Sequence, residues 1–288
     1  MLILGANGML GHKAYQVFTE EGFDTYGIMR QPSNTFKQFN LFNEKKIIDN
    51  LDVTNNAAFV KAFEHTHPAV VINAVGIVKQ VCNDFVPAAT LNSLFPHQVA
   101  RLCTAHKAKL IHMSTDCVFS GNKGNYTEED TPDPEDAYGR TKLMGEVTYG
   151  NHLTIRTSII GRELFTKHGL VEWFLSQTGK VNGYTKAIFS GLSTAELSRT
   201  IIKLLDKNAQ GLLNVGTDNI DKFSLLSMVK HEFKREDITL NPYGKFICDR
   251  SLDITKMRKL GISTKSHQMM IREIATDTLY QIKGKVFK

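Results

Sequence analysis

Three side chains near the middle of the sequence have the types and spacing needed to move a proton. Tyr138 and Lys142 are four residues apart, so a helix through them would place both on one face. An ammonium beside a phenol favours the phenolate, which predicts that the pKa of Tyr138 falls from about 10 toward neutral pH. Thr115 ends a predicted strand and offers a second hydroxyl to hold a substrate oxygen. We predict Thr115, Tyr138 and Lys142 as catalytic residues, with Tyr138 as general acid.

A tyrosine and a lysine at this spacing are common on surface helices, so the pair alone does not indicate catalysis. The start of the chain adds evidence for a cofactor site. The apolar run from Met1 to Leu4 predicts a buried strand, and a helix-like pattern begins at Leu10. The glycine-rich turn between them lets the backbone approach a pyrophosphate, and the helix N-terminus offers amide donors. Strand, turn and helix together predict dinucleotide binding. The turn residues that we expect at the cofactor are Gly5, Asn7, Gly8, Met9, Leu10 and Gly11.

The residues after the second predicted strand indicate which nicotinamide cofactor binds. An acid there would bind the ribose 2′-hydroxyl of NAD(H), whereas a base would accept the 2′-phosphate of NADP(H). The stretch from Gly27 to Ser33 contains Arg30 and no acid, so we predict NADP(H) rather than NAD(H). Arg30 as an ordinary surface residue is the alternative. Five further residues are expected along the cofactor, the first two at the adenine: Asp52, Val53, Asn73, Ala74 and Val75.

Strand-like and helix-like patterns alternate through the first half of the chain, which predicts an α/β fold with a Rossmann-type doubly wound parallel sheet. After residue 157 the alternation weakens, and aromatic residues and glycines indicate a smaller, interleaved substrate-binding lobe. We predict an NADP-binding domain over 1–157 and a mainly substrate-binding lobe over 158–288, with about 194–216 returning to the first domain. The predicted elements are the strands Met1–Leu4, Phe23–Met29, Ala69–Asn73, Lys109–Ser114, Leu153–Arg156 and Gly211–Gly216, and the helices Asn56–His65, Leu91–His106 with an interruption at Pro96, Tyr138–Tyr149 and Thr194–Leu205.

The composition argues against several other classes of protein. No stretch approaches the roughly 20 apolar residues of a membrane-spanning helix, and no secretory signal is visible, so we expect a cytoplasmic protein without a membrane partner. The net charge of +6 comes from scattered lysines and arginines, which argues against nucleic acid and weakly favours an anionic small substrate. Four cysteines without a Cys-x-x-Cys motif predict free thiols and no metal site.

Several segments together resemble the extended short-chain dehydrogenase/reductases, and more narrowly their dTDP-4-dehydrorhamnose reductase-like branch. The resemblance implies an NADPH-dependent oxidoreductase that reduces the 4-keto group of a nucleotide-linked 6-deoxysugar for surface-polysaccharide synthesis. It also implies that Tyr138 protonates the sugar oxygen and that Lys142 holds the nicotinamide ribose. The matching segments are spread over nearly the whole chain: Leu4–Gly11, Ser114–Gly121, Tyr126–Asp130, Tyr138–Glu146, Arg156–Ser158 and Arg250–Asp253.

Three features depart from that family pattern. Cys117 stands where the reductases tend to carry an aromatic residue and the related dehydratases a glutamate, so dehydration is disfavoured. Lys79 and Gln80 replace an alanine-rich stretch and either contact a different sugar or nucleotide, including an N-acetylated sugar on UDP, or face solvent. The first strand begins at Met1, so we expect either a short strand or a start that lacks a few residues.

The resemblance also suggests where a nucleoside diphosphate sugar would bind, since a pyrophosphate attracts arginine and lysine. Four charged residues lie in the segment expected to meet it: Arg162, Glu163, Lys180 and Lys186. Trp173 and Tyr184 either stack on the base or belong to the core, and Arg250 either closes the pocket or caps a helix. The predicted substrate-binding residues are Lys79, Ser114, Thr115, Asp116, Arg156, Trp173, Tyr184 and Arg250.

Two other functions stay open. A non-catalytic nucleotide-binding subunit that regulates a partner protein would keep this fold, although loss of Tyr138 or Lys142 would favour it more. An epimerase of the same fold would retain NAD(H) tightly and would need an acid near residue 30. The sequence does not decide the oligomeric state, and a homodimer is one of the states that it allows.

Overall fold

The computed structural model describes residues 1–281. At its centre is a seven-stranded sheet in which all neighbouring strands are parallel, which confirms the predicted doubly wound α/β fold. The strands are β1 (Leu2–Leu4), β2 (Tyr26–Ile28), β3 (Ile47–Ile48), β4 (Val70–Asn73), β5 (Lys109–Met113), β6 (Leu153–Arg156), β7 (Ile159–Ile160), β8 (Gly179–Phe189), β9 (Leu192–Ser193), β10 (Gly211–Asn214), β11 (Ile220–Asp221) and β12 (Ile238–Asp249).

The central sheet has the order β10-β6-β5-β4-β1-β2-β3, so the chain reverses its direction of progress between β1 and β4. In open parallel sheets, ligands bind at the carboxyl edge beside such a reversal. The helices are α1 (Met9–Glu20), α2 (Asn56–Thr66), α3 (Phe85–Ala88), α4 (Phe95–Ala105), α5 (Ala137–Met144), α6 (Leu170–Leu175), α7 (Thr194–Asp206), α8 (Lys222–Glu232), α9 (Thr255–Lys259) and α10 (His267–Thr276).

Two predicted elements are shorter in the structure than expected. The second strand was expected over Phe23–Met29 but covers only the three residues of β2. The helix with the tyrosine–lysine pair ends at Met144 instead of Tyr149. At this end Gly145 packs against the carbonyl oxygen of Asn92, where a Cβ would lie 1.9 Å from that oxygen. The close approach allows only glycine, and the chain leaves the helix there.

The helical stretch that precedes β5 is longer than predicted. It begins at α3 and passes through a π-helical segment, Ala89–Leu94, into α4. Pro96 lies in the first turn of α4, where a residue without an N–H group is tolerated. The expected interruption at Pro96 is therefore a change of helix type rather than a break.

A smaller sheet lies beyond β6. β8 pairs in parallel with β12 and antiparallel with β11. It has an apolar core of its own, which includes Phe174, Leu225 and Ile271. α7 packs against α1, and β10 pairs with β6, so these later elements lie on the central sheet. The division of the chain at residue 157 stays a prediction.

Among residues 1–281, no helix is long and apolar enough to cross a membrane. Over the same range, histidine, cysteine and carboxylate side chains form no group of three or more arranged to hold a metal ion. The cysteines are free thiols.

Candidate functional site

The glycine-rich turn joins β1 to α1 at the carboxyl edge of the sheet. Gly5 has a φ of +78°, a conformation that favours glycine, and the Gly8 amide donates to the Gly5 carbonyl over 2.9 Å. A Cβ on Gly11 would lie 2.0 Å from the Gly5 oxygen, so only glycine lets α1 pack this closely on the turn. The turn therefore presents the first backbone amides of α1 at the sheet edge, an arrangement that binds phosphate.

A cavity of about 980 Å³ extends from this turn to the smaller sheet. Its volume lies at the upper end of the range for small-molecule sites. The predicted site residues that line it are Asn7, Gly8, Met9, Leu10, Ala74, Val75, Lys79, Ser114, Thr115, Asp116, Tyr138, Lys142, Glu163, Tyr184 and Arg250.

Lys142 lines the cavity, although only 5% of its surface is exposed. α5 carries it one turn after Tyr138, and its ammonium donates to the Met113 carbonyl at the end of β5 over 2.5 Å. Burial lowers the pKa of Lys142 to about 8, while the Glu146 carboxylate opposes this fall. Lys142 is therefore mostly charged at neutral pH and loses its charge in mildly basic solution.

Tyr138 reaches the same cavity, but the prediction of a lowered phenol pKa is wrong. Burial raises the pKa of Tyr138 above its usual value, and the nearby Asp116 and Asp136 add to the rise. The Lys142 ammonium, which is bonded to the backbone of β5, is not among the groups that shift the pKa of Tyr138. The phenol is consequently neutral at pH 7 and carries the proton that a general acid needs.

Thr115 precedes a short 3-10 helix, Asp116–Val118, directly after β5. Its hydroxyl accepts from the Cys117 amide over 3.1 Å and donates to the Asp116 carboxylate over 3.2 Å. The other carboxylate oxygen of Asp116 accepts from the Ser158 hydroxyl. Burial raises the pKa of the Cys117 thiol to about 12, so this thiol stays protonated in the cavity wall. These contacts fix the Thr115 hydroxyl at the cavity.

The loop after β4 is shaped by two asparagines. Asn73 is buried, and its side-chain oxygen accepts from the Val75 amide over 3.1 Å. Asn92, in the π-helical segment, accepts from the Ile77 amide over 2.9 Å and donates to the Ile77 carbonyl over 3.0 Å. Ala74 and Val75 line the cavity, whereas Asn73 supports the loop without lining it.

The residues predicted at the adenine end do not line the cavity. Bonds from Thr54 and the charge of Arg30 lower the pKa of Asp52, whose carboxylate accepts from both the amide and the hydroxyl of Thr54. Val53 is buried in the apolar core, and Arg30 is exposed. Asp52 and Val53 thus shape the turn that follows β3, and Arg30 faces solvent beside them.

The loop after β2 makes two contacts that sequence reasoning missed. The carboxylate of Asp49, just after β3, accepts from the Ser33 amide over 2.6 Å. Asn7 in the glycine turn donates to the Gln31 side chain over 3.1 Å. Asp49 therefore contacts this loop from the segment after β3. The sequence argument looked for an acid only directly after β2 and could not find it.

Two basic residues predicted to bind substrate, Lys79 and Arg250, line the cavity. Lys79 pairs with Asp136 over 2.7 Å, and Asp136 caps α5 by accepting from the Gly139 amide over 2.7 Å. Arg250 donates to the Phe119 carbonyl over 2.8 Å. Both cations therefore lie close to the elements that carry Thr115 and Tyr138.

Tyr184 lies at the far end of the cavity, on β8. Its ring centroid is 5.1 Å from that of Phe246 and 5.7 Å from that of Tyr243. The only sequence signal for this end was the high aromatic content after residue 157. Cavity residues that sequence reasoning did not assign include Gln31, Phe36, Ser158, Phe165, His168, Lys222, Phe246 and Cys248.

The prediction that Arg156 contacts substrate is wrong. Its side chain is 3% exposed, does not line the cavity and forms two hydrogen bonds of 2.8 Å with the Glu146 carboxylate. Glu146 also accepts from the Ser114 hydroxyl over 2.7 Å. This buried ion pair joins the ends of β5 and β6 to the segment after α5, next to Thr115.

The structure agrees with neither of the two sequence-based interpretations of Trp173. It is 38% exposed on α6, so it neither lines the cavity nor belongs to the core. Lys180 and Lys186 lie exposed on β8 outside the cavity lining. Arg162 pairs with Glu172 instead of lining the cavity. Residue type alone was a poor guide in this part of the chain.

Comparisons with known proteins give sequence relatives for part of the chain and a fold match for nearly all of it. Mouse methionine adenosyltransferase 2 subunit beta is 32% identical over 147 residues, which are 51% of this chain and 41% of that protein. The match therefore spans less than half of the mouse protein. The probable low-salt glycan biosynthesis reductase Agl14 of Haloferax volcanii is 26% identical over 230 residues, 75% of this chain and 74% of that one.

A solved dTDP-4-dehydrorhamnose reductase from Bacillus anthracis, in complex with NADP, has the same fold with a TM-score of 0.78. It is 21% identical and covers 95% of this chain and 97% of its own. The model of the RmlD substrate binding domain matches residues 1–216, from the first strand to the end of β10 and the turn after it. Because this match takes in most of the chain, the protein belongs to the RmlD substrate binding domain family.

Proposed function

We propose that this chain is an NADPH-dependent reductase of the 4-keto group of a nucleotide-linked 6-deoxysugar. The observation that carries the proposal is that Thr115, Tyr138 and Lys142 share one cavity with the glycine turn at Gly8. A proton donor thus lies next to a phosphate-binding turn. The names of the relatives point the same way, since they include a glycan biosynthesis reductase and a dTDP-4-dehydrorhamnose reductase.

The turn fits a nicotinamide dinucleotide. Gly11 leaves no room for a Cβ, and the adjacent Met9 and Leu10 line the cavity at the N-terminus of α1. These residues and Val75 would hold the pyrophosphate and the nicotinamide half, which supplies a hydride when the cofactor is bound. We assign NADP(H) because Arg30 follows β2 and because the Bacillus anthracis relative was solved with NADP.

Tyr138 is the proposed general acid. Its raised pKa keeps the phenol protonated at neutral pH, and its Oη donates this proton to the carbonyl oxygen of the sugar. The Lys142 ammonium, which is charged below a pH of about 8, offsets the negative charge that the phenol acquires. The Thr115 hydroxyl, which accepts from the Cys117 amide, would turn its proton from the Asp116 carboxylate to the same substrate oxygen.

We place the nucleoside diphosphate toward the smaller sheet. Lys222 and Arg250 offer positive charge there, and Tyr184 and Phe246 offer aromatic surface for a base. An anionic ligand at this end also agrees with the basic composition of the chain.

The proposal is tested by following the absorbance of NADPH with a panel of dTDP- and UDP-linked 4-keto-6-deoxysugars, each repeated with NADH. We expect turnover of at least one sugar with a preference for NADPH. The sugar that reacts fastest defines the base and the sugar class. Binding of NADPH without turnover of any sugar in the panel would contradict the proposal.

A regulatory subunit is the second candidate, because the mouse methionine adenosyltransferase subunit beta is 32% identical over half of this chain. In that case the cavity would bind a dinucleotide, and a partner enzyme would change its activity when the chain is added. The sugar panel separates the two functions, since a subunit of this kind would show cofactor binding and no sugar reduction.

A further inference from the structure

A buried histidine lies directly behind the glycine turn. His12 is on the first turns of α1 and is fully buried. Its Nδ1 lies 2.7 Å from the Gly8 carbonyl oxygen and its Nε2 lies 2.5 Å from the Tyr280 hydroxyl. Burial lowers the pKa of His12 to about 4, so the ring is neutral at pH 7. Because a carbonyl only accepts, Nδ1 carries the proton and donates to Gly8, while Nε2 accepts from Tyr280.

The Gly8 carbonyl belongs to the same peptide group as the Met9 amide. In a trans peptide, the C=O and N–H bonds lie in one plane and point in opposite directions. A hydrogen bond that holds the Gly8 carbonyl toward His12 therefore fixes the Met9 amide on the other side of the turn. Gly8 and Met9 both line the cavity. The Gly8 carbonyl also accepts from the His12 backbone amide over 3.0 Å, so the ring adds a second bond to this carbonyl and further restricts the orientation of the phosphate-binding amide.

Tyr280 is held in place by a short segment that we call the clasp, Asp277–Tyr280. Asp277 pairs with Lys13 of α1 and accepts from the Leu279 amide over 3.0 Å. The Tyr280 ring lies 5.3 Å from the Lys13 ammonium and 4.9 Å from the Arg162 guanidinium, measured to the ring centroid. The clasp therefore spans α1 and the loop after β7, whose neighbouring residues line the cavity.

We propose that His12 and Tyr280 are positioning residues for the dinucleotide: Tyr280 orients His12, and His12 holds the Gly8–Met9 peptide in its phosphate-binding orientation. This inference rests on the proposed binding of NADPH at the glycine turn. None of the predicted site residues lies near position 280, so the contact extends the site to a part of the chain beyond the family match.

The test is the dissociation constant for NADPH, measured by its fluorescence, in wild type and in Tyr280→Phe. Loss of one hydrogen bond leaves His12 Nε2 buried without its donor, and we expect Kd to rise by about three- to tenfold. In a reacting system, KM for NADPH should rise by more than kcat falls. Tyr149→Phe is the matched control, because Tyr149 also bonds a histidine, His97, over 2.9 Å, but outside the cavity.

The double variant His12→Leu with Tyr280→Phe guards against misfolding, because it removes both side-chain partners, while the Gly8 carbonyl keeps its bond from the backbone amide of residue 12. It should unfold near the wild-type temperature and still bind NADPH more weakly. Wild-type affinity in both variants, or an equal loss in Tyr149→Phe, would overturn the inference. A wild-type protein that binds NADPH and reduces no sugar would overturn the proposed function and leave the inference intact, whereas no NADPH binding would overturn both.

Discussion

The two ends of the cavity are built differently. At the sheet edge the groups are buried and hydrogen-bonded to neighbouring protein groups: Thr115 is 6% exposed and Lys142 is 5% exposed. At the smaller sheet they are long side chains on an exposed surface, with Tyr184 at 37% and Phe246 at 47%. Fixed, desolvated groups suit a reaction in which charge develops on the same atoms in every turnover. Exposed aromatic side chains suit the binding of a ligand whose structure varies.

The difference is also electrostatic. Burial raises the pKa of Tyr138 and lowers that of Lys142 at the sheet edge. Titratable groups with opposed shifts in one cavity are typical of catalytic sites. We therefore expect changes at the sheet edge to act on the rate and on stability, and changes at the smaller sheet to act on substrate affinity.

The largest effect should come from Tyr138→Phe. Removal of the proton donor should lower kcat by about 10²- to 10⁴-fold, while the affinity for NADPH stays within about threefold of wild type. Steady-state kinetics and cofactor fluorescence measure the two quantities. Tyr149→Phe is the control with normal turnover. Undiminished kcat in Tyr138→Phe would show that the proton comes from elsewhere.

Glu146→Gln tests how strongly the fold depends on the buried charges at the sheet edge. It leaves the Arg156 guanidinium buried without its charged partner, so we expect the free energy of unfolding to fall by about 3–5 kcal/mol. Lys79→Met breaks the partly exposed ion pair with Asp136 at the start of α5 and should cost no more than about 1 kcal/mol. Urea denaturation measures both, and equal losses would contradict the claim that the buried charge pair is the one that matters for stability.

The pH dependence of kcat should show the charge of Lys142. The ammonium is present below the pKa of about 8 and is lost above it, so kcat should fall as the pH rises through that value. The expected slope above it is about tenfold per pH unit for a single essential proton. In Lys142→Met this decline should disappear together with most of the activity. A kcat that increases through pH 8 would contradict the assignment.

Phe246→Ala tests the exposed end and should have the smallest effect. Loss of one aromatic surface should raise KM for the nucleotide sugar by about two- to tenfold, with kcat little changed. Trp173→Ala is the matched control, because Trp173 is similarly exposed but lies outside the cavity lining. A larger loss in Trp173→Ala than in Phe246→Ala would place the substrate elsewhere.

Sequence reasoning was successful where function depends on neighbours along the chain. The spacing of Gly5, Gly8 and Gly11 predicts the turn because one strand and one helix build it. Tyr138 and Lys142 reach the cavity because one helix carries both. The alternation of strands and helices likewise predicts the parallel sheet, since each unit is local.

The features of the fold and the site that sequence reasoning did not predict depend on contacts between distant segments. Arg156 meets Glu146 only when β6 lies beside the end of α5, so its charge suggested a ligand contact that burial rules out. His12 and Tyr280 are 268 positions apart. The parallel pairing of β8 with β12 was not predicted, because the two strands are far apart in the chain and α7, β10 and α8 lie between them.

The central claim is tested most directly by isotope transfer. NADPH carrying two deuterium atoms at its reactive carbon would be incubated with wild-type protein and the best sugar of the panel, and the product examined by mass spectrometry and NMR. We predict one deuterium at C4 of the sugar, and none in the Tyr138→Phe reaction over the same time. A reduced sugar without deuterium, or label in the product of Tyr138→Phe at the wild-type rate, would contradict the account.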